Sequence, residues 1–276
     1  MAWINGINIV NQAPNSALTA RALKRLDFTV VVDAFFNDTA DCADLILPAA
    51  LMLEQEDIIG SFLHDHVQYV AAALPAPGAA RSDDWIVSEV ARRLSPPVAM
   101  PDKDACLARS LDSPQLATDL GTLKEKGTVR AAVPAVVYEG LRFDHPDGKY
   151  RFPITLHAEP PAPAGFPLRL LSLIRKDAIH SQMLPEDQSE TPTAWVAADS
   201  PALQHFDPGR EAFLVSPLGR LKVRLETVAG LHPEAVLYRR GDWMKCAGGI
   251  NRLIEDGVTD IGGGAPYYDQ FVRLEN

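Results

Sequence analysis

The stretch Phe28-Thr-Val-Val-Val-Asp33 limits this chain more than any other: β-branched and apolar residues run unbroken into an acid. A run apolar on both faces must be covered from both sides. That is the condition of a parallel strand inside a layered α/β sheet, and it excludes a half-solvated antiparallel strand. Asn37-Asp38-Thr39-Ala40 follows as a polar loop, and Ala43-Asp44-Leu-Ile-Leu-Pro48 as a second short apolar run closed by proline. Acids and small polar residues at the carboxyl ends of parallel strands are where open α/β sheets bind nucleotide-like ligands.

The elements around this stretch alternate. Residues 7–10 read as the end of a strand. Asn15 or Ser16 caps a helix expected over 17–26, with Leu18, Leu23 and Leu26 on one face. Residues 45–47 form a strand whose length Pro48 limits. Ser82-Asp83-Asp84 caps a helix expected over 84–94, with Ile86, Val90 and Leu94 four apart. This alternation predicts a parallel α/β domain over 1–95. Residues 96–166 form a connection. The breaker Ser95-Pro-Pro-Val-Ala-Met-Pro101 precedes a helix expected over 114–126. A hairpin-like Gly140-Leu-Arg-Phe143 and Asp147-Gly148-Lys-Tyr-Arg-Phe152 comes next, and Pro160-Pro-Ala-Pro-Ala-Gly165 ends the segment. Residues 167–276 change character. Short strands are expected at 168–174, 194–197, 212–216, 221–227, 235–238 and 270–274, with turns between them, and they predict a compact β-barrel or sandwich. The fold class is therefore α/β plus all-β.

Bulk properties exclude some functions. A net charge of −10 over 276 residues disfavours nucleic acid or an anionic membrane as a partner. No apolar run reaches the length of a membrane span. The three cysteines, Cys42, Cys106 and Cys246, lie far apart without a Cys-x-x-Cys pair, so no zinc or iron–sulfur site is expected here. Sparse cysteine suits a reducing compartment, and a cytoplasmic location is expected. The start, Met1-Ala-Trp-Ile-Asn-Gly, lacks a basic segment and an apolar segment, and it reads as mid-domain strand and turn. A truncated chain or a split gene is the expectation, with a periplasmic location if a preceding segment carries an export signal.

Several local motifs have two readings. His64-Asp65-His66 could supply two metal ligands, but no third ligand cluster accompanies it, and a surface loop is the better account. Asp33 can accept from a ribose diol or a guanine edge, or it can simply cap a turn. Gly248-Gly249 and Gly262-Gly263-Gly264 can let backbone amides approach a phosphate or pterin, or can be plain loops. Arg175-Lys-Asp-Ala-Ile-His180-Ser181-Gln182 gathers many donors directly after a strand. Such a cluster suits an anionic or heteroaromatic ligand, or solvent. No Gly-x-Gly-x-x-Gly, Walker loop or Gly-x-Ser-x-Gly elbow occurs, which speaks against ordinary dinucleotide binding, ATP hydrolysis and an α/β-hydrolase.

Taken in order, these segments resemble the molybdopterin oxidoreductases, the dimethyl sulfoxide reductase and formate dehydrogenase superfamily. Residues 1–95 are similar to the closing part of the family's third domain. The matches are Gly6-Ile-Asn8, Pro14-Asn15-Ser16, Arg21-Ala22-Leu23, Leu26 to Asp33 as one run, Asp38-Thr39-Ala40, Ala43 to Pro48, Glu54, Pro77-Gly78, Arg81-Ser-Asp-Asp-Trp85-Ile86 and Ala91-Arg-Arg-Leu94. Residues 167–276 resemble the family's molybdopterin dinucleotide-binding domain. There the matches are Arg175 to Gln182, Ser216-Pro-Leu-Gly219-Arg220, Gly241-Asp-Trp243, Gly248-Gly-Ile-Asn251-Arg-Leu253, the tail from Thr259 to Asp269 and Val272-Arg-Leu-Glu275.

The resemblance implies a partial Rossmann-like domain followed by a double-psi β-barrel. It implies molybdopterin guanine dinucleotide, carrying molybdenum or tungsten, as cofactor. Asn8, Asp33 and Thr39 match positions lining the guanine pocket. Arg175, His180, Ser181, Gln182 and Asn251 match pterin and phosphate contacts, and Tyr268 is a further candidate. Metal-ligand and iron–sulfur segments lie upstream in complete members and have no counterpart here. The resemblance therefore implies an N-terminal catalytic part or subunit as partner, and an iron–sulfur cluster only there or in an electron-transfer subunit. No catalytic residue and no metal ligand is assigned within this chain. The rival from another class is a scaffold subunit of an electron-transfer complex that keeps the fold without the cofactor.

Overall fold

The computed structural model describes every residue except His157, Glu159 and Pro160, so the start of the expected breaker at 160–165 lies outside the described residues. The chain forms two compact units. One joins Met1–Ile46 to Pro153–Asn276, and the other is Leu47–Phe152.

In the first unit, β1 (Ala2–Asn5) pairs in parallel with β2 (Thr29–Asp33), with Trp3 opposite Val30 and Asn5 opposite Val32. Residues 29–32 are buried throughout, as the apolar run requires. The strand expected at 7–10 is instead the short helix α1 (Ile9–Gln12), and the strand lies earlier. Buried Thr39 accounts for the difference, because its Oγ1 accepts from the amide of Val10 and turns the chain there. Helix α2 (Ser16–Leu23) starts at Asn15, whose side chain accepts from the amide of Leu18 at 3.2 Å. Strand β3 (Leu45–Pro48) completes the order β1-β2-β3.

The second unit holds an antiparallel sheet of β4 (Asp57–Ile59), β5 (His66–Val70) and β6 (Thr128–Arg130). Its helices are α3 (Asp83–Arg93), α4 (Lys103–Ser110) and α5 (Leu120–Lys126). Lys103 reaches from α4 to Asp84 of α3, so the boundary expected at residue 95 falls inside this unit. On α3, Ile86 and Ala91 are buried while Val90 and Leu94 are exposed, so the inward stripe is narrower than the spacing suggested. The expected helix over 114–126 begins only where Asp119 caps it, accepting from Thr122. The hairpin expected around Gly148 has no strand ladder. One bond from Phe143 N to Gly148 O closes a bend, and the rings of Tyr138, Phe143, Tyr150 and Phe152 pack in sequence along it, stacked, tilted and edge-on in turn.

The remainder of the first unit is a closed six-stranded barrel. Its strands are β7 (Leu168–Leu173), β8 (Thr193–Ala197), β9 (Glu211–Ser216), β10 (Gly219–Val228), β11 (Ala235–Arg239) and β12 (Gln270–Glu275), ordered β10-β8-β11-β7-β12-β9. All six coincide with the strands expected from alternation. Pairs β7–β11 and β8–β10 are parallel and the others antiparallel. Strand β10 shows why the barrel closes around one core. Leu221, Val223 and Leu225 point inward, while Lys222, Arg224 and Glu226 are exposed. Leu170, Leu214, Val236 and Val272 complete that core with no exposed surface.

Leu214→Ala should destabilise the chain by about 2–5 kcal/mol, since the closed barrel leaves a cavity that neighbours cannot fill. Chemical denaturation would read this as a lowered midpoint with an unchanged slope. A midpoint within error of the parent would contradict a packed barrel interior.

Candidate functional site

Within the first unit, the segment 8–39 is sewn to the barrel by buried polar bonds centred on Asp38, a residue 5% exposed. Its Oδ2 accepts from the Asn8 amide (3.3 Å), the Asn11 amide (3.4 Å) and the backbone N–H of Met244 (3.0 Å). Its Oδ1 accepts from the backbone N–H of Lys245 at 2.9 Å. A buried carboxylate is tolerated only when its acceptor capacity is used, and here four donors use it. Lys245 Nζ returns the contact by donating to the carbonyls of Phe36 and Asn37 and to Asp41. Asn11 donates a second bond to the carbonyl of Asp242 at 2.7 Å, and Gln12 donates to Ser181 Oγ at 3.0 Å. Asn251 donates to the carbonyls of both Asn11 and Gln12, and Tyr267 Oη also donates to Gln12 O.

These bonds border a cleft of about 360 Å³ lined by Asn11, Gln12, His180, Arg240, Asp242, Asn251 and Tyr267 together with Ile7, Ile9 and Ile250. A few convergent polar groups on apolar walls is the usual make-up of a small-ligand pocket. Two glycines make it possible. Gly241 has φ of +122°, and a Cβ there would stand 2.6 Å from the carbonyl oxygen of His180. A Cβ on Gly248 would overlap the Asp242 carboxyl carbon at 2.3 Å. Only glycine lets the backbone close over that carboxylate.

Asp242 is 3% exposed. It accepts from Tyr238 Oη, and Arg175 Nη2 lies 3.8 Å from its Oδ2. Burial pushes its carboxyl above the ordinary range, more than Tyr238 and Arg175 pull it down. Burial, reinforced by the adjacent carboxylate, pushes the Tyr238 phenol well up, so its proton stays on the bond. Four buried polar atoms here have no partner: Arg175 Nε, Arg240 Nη1, Asp242 Oδ1 and Asn251 Oδ1. Finished folds leave few such atoms, and three of the four belong to residues that line the cleft, although the atoms themselves are buried away from its surface.

The expected site residues fall into three groups. Asn251 and His180 line the cleft, and Ser181 and Arg175 stand behind it. Asn8 and Thr39 are buried and bonded to each other, with Asn8 Oδ1 accepting from Thr39 N (3.1 Å) and Thr39 Oγ1 (3.0 Å), so their side chains shape the seam. Asp33 closes its own turn, accepting from Phe35 N and from Asn37 Nδ2. Gln182 is exposed, its amide bonded to Ile179 O. Tyr268 is 45% exposed and outside the lining, where its neighbour Tyr267 stands. Asn11, Asp38, Arg240 and Asp242 were not singled out as site residues. Their signal was present: an acid beside Asn37 and Thr39 in a tight loop, and a glycine between Arg240 and Asp242 at a strand end. At His64-Asp65-His66, Asp65 pairs with Arg130 and not with a metal cluster. Among the described residues no group of three His, Cys, Asp or Glu is placed to hold a metal. Among the described residues no helix is long and apolar enough to cross a membrane.

The family model for molybdopterin oxidoreductase matches residues 1–93. The chain is 28% identical to the "Probable oxidoreductase YyaE" of Bacillus subtilis over 97% of its length, covering 44% of that protein. It is 30% identical to the assimilatory nitrate reductase of Haloferax mediterranei over 73% of its length, covering 31% of that protein.

The chain belongs to the molybdopterin oxidoreductase family.

Its fold matches that of acetylene hydratase from Pelobacter acetylenicus with a TM-score of 0.76 at 18% identity. That match covers the whole of this chain and 44% of the hydratase. The chain thus spans less than half the length of these relatives. The family model ends at residue 93, yet the polar seam and the cleft draw on both that region and the barrel.

The raised carboxyl of Asp242 has a consequence for stability. A group whose folded pKa exceeds its unfolded value stabilises fully below the unfolded value and loses that contribution as pH rises through the folded one. Asp242→Asn removes the loss. Its thermal midpoint relative to the parent should therefore rise as the pH climbs from about 4 toward neutrality. Melting curves across that range check this, and a pH-independent difference would contradict it.

Proposed function

We propose that the chain is the cofactor-holding part of a molybdenum or tungsten oxidoreductase that uses molybdopterin guanine dinucleotide in a bis form. The make-up of the cleft carries this reading: Asn11, His180, Arg240, Asp242 and Asn251 set donors and acceptors on apolar walls. The mixed six-stranded barrel is read as double-psi, and the β1-β2-β3 sheet with its helices as Rossmann-like.

The donor set fits such a group. Arg175 and Arg240 supply cationic N–H groups for pyrophosphate or ring oxygens, while Asn251 and Asp242 supply acceptors for ring N–H groups. His180, Ser181 and Gln182 form the loop at the rim, and Tyr268 is kept as a more distant contact. Asn8 and Thr39 set the shape of the seam, and Asp33 stands at the strand end where a guanine or ribose is expected. The bound metal would supply two-electron chemistry in the intact enzyme. This chain's residues bind and orient the cofactor and shield it from water. The catalytic N-terminal part is proposed as partner, and an iron–sulfur cluster is placed there or in an electron-transfer subunit. The polar lining of the cleft argues against a scaffold that has lost its cofactor.

Acid-oxidised extracts of the chain, purified from a host that makes the dinucleotide, should show pterin fluorescence and release guanine nucleotide in stoichiometric amount. Extracts free of both would overturn the reading. The same material should show no turnover without the upstream polypeptide, and turnover by the chain alone would contradict its assignment as a cofactor-holding part.

A further inference from the structure

The sheet β1-β2-β3 has two outer strands, and their free edges differ. Strand β1 bonds to β2 through alternate residues. Ala2 N donates to Phe28 O and Gly6 N to Val32 O, both at 2.9 Å, and the register sets Ile4 opposite Val31. In a parallel ladder the residues between these point their N–H and C=O the other way. Trp3 and Asn5 therefore turn their backbone groups away from β2. Among the described residues, neither amide meets an acceptor and no strand lies beside them. Natural sheets blunt such an edge with proline, lysine or a bulge. Strand β3 has this device, because Pro48 ends it and offers no N–H. Strand β1 has none of these. Its sequence, Ala-Trp-Ile-Asn, carries no proline and no charge, and Ala2, Trp3 and Ile4 are half-buried. Parallel strands belong inside sheets covered on both faces, so β1 has the composition of an interior strand while standing at an edge.

We infer that the outer edge of β1 takes a parallel strand from the upstream polypeptide, so that one sheet runs on across the boundary between the two. The inference rests on the partner named in the preceding subsection, and it adds the place and register of the contact. The incoming strand accepts from the N–H groups of Trp3 and Asn5 and donates to their carbonyls, the main-chain bonding of strand addition. It becomes an interior strand's neighbour, so its own side chains should be apolar without alternation. The occupant follows from the length of the relatives. The chain covers 44% of proteins that match nearly all of it, so they carry more polypeptide beyond the shared stretch than within it. A second copy fits less well. A twofold pair would set β1 antiparallel to itself, against the parallel direction it already takes with β2, and purely parallel sheets are favoured over mixed ones.

The test is residue-resolved amide exchange on the full chain, alone and co-purified with the polypeptide encoded upstream of it. Alone, the Trp3 and Asn5 amides should exchange at least about tenfold faster than that of Ile4, which faces β2. In the complex both should slow by at least about tenfold. Asn5→Pro removes one outward N–H and leaves the ladder to β2 intact, so it should weaken the complex at least about tenfold while the free chain keeps its melting temperature. The exchange comparison on the parent chain needs no substitution, so it stands even if Asn5→Pro folds poorly. A complex in which Trp3 and Asn5 exchange as fast as in the free chain would overturn the inference and leave the partner standing. Slow exchange at both residues in the chain alone, with a solution mass twice that of one chain, would give the edge to a second copy and overturn it too. A chain that binds no upstream polypeptide refutes the partner itself, and the inference with it.

Discussion

The buried carboxylate of Asp38 holds the rest of this arrangement in place. It belongs to the loop after β2, yet two of its four donors are backbone amides of the barrel segment 244–245. The other two are the side-chain amides of Asn8 and Asn11, which bracket the start of α1. One side chain thus fixes where α1 lies against the barrel. From α1, the carbonyls of Asn11 and Gln12 then anchor Asn251, and Asn11 anchors the carbonyl of Asp242. An uncompensated buried charge costs several kcal/mol, so this seam tolerates no other placement of the loop.

The cleft inherits its chemistry from that seam. Because one amide of Asn251 is held by α1, its carbonyl oxygen is left over. Because Tyr238 and Arg175 hold one oxygen of Asp242, the other is left over. A fold that cared only for stability would fill these positions with apolar side chains. Polar side chains kept around the cleft, beside glycines that admit no side chain, set it apart from the apolar barrel core.

Much of the fold was legible in the sequence, for identifiable reasons. The barrel strands alternate cleanly, as in Leu221, Val223 and Leu225 against Lys222 and Arg224, and a period of two survives any register. The buried β2 run was equally plain. What failed depended on long-range partners. Residues 7–10 are apolar enough for a strand, but Thr39, twenty-nine positions on from Val10, captures the Val10 amide and bends the chain into a helix. The division of the chain at Ile46 follows from bonds between 8–39 and the barrel, and no local pattern encodes those. The aromatic bend after Phe143 carries the Asp-Gly signal of a hairpin but lacks a partner sheet. Of the residues expected in the site, Asn251 and His180 line the cleft and the Arg175 loop lies beside it. Asp38, Arg240 and Asp242 were hidden because a single acid or arginine beside a glycine looks like an ordinary turn until burial is known. Tyr267 and Tyr268 are indistinguishable in sequence, and only the fold shows which one turns inward.

The central claim is that the Asp38 carboxylate fastens α1 and the barrel segment 244–245 into one cleft. Residue-resolved amide hydrogen exchange on Asp38→Ala against the parent tests it directly. The account predicts that the amides of Met244 and Lys245 lose protection, together with that of Val10, while strands 168–173 and 211–216 stay protected. Unchanged exchange at 244 and 245 would contradict it.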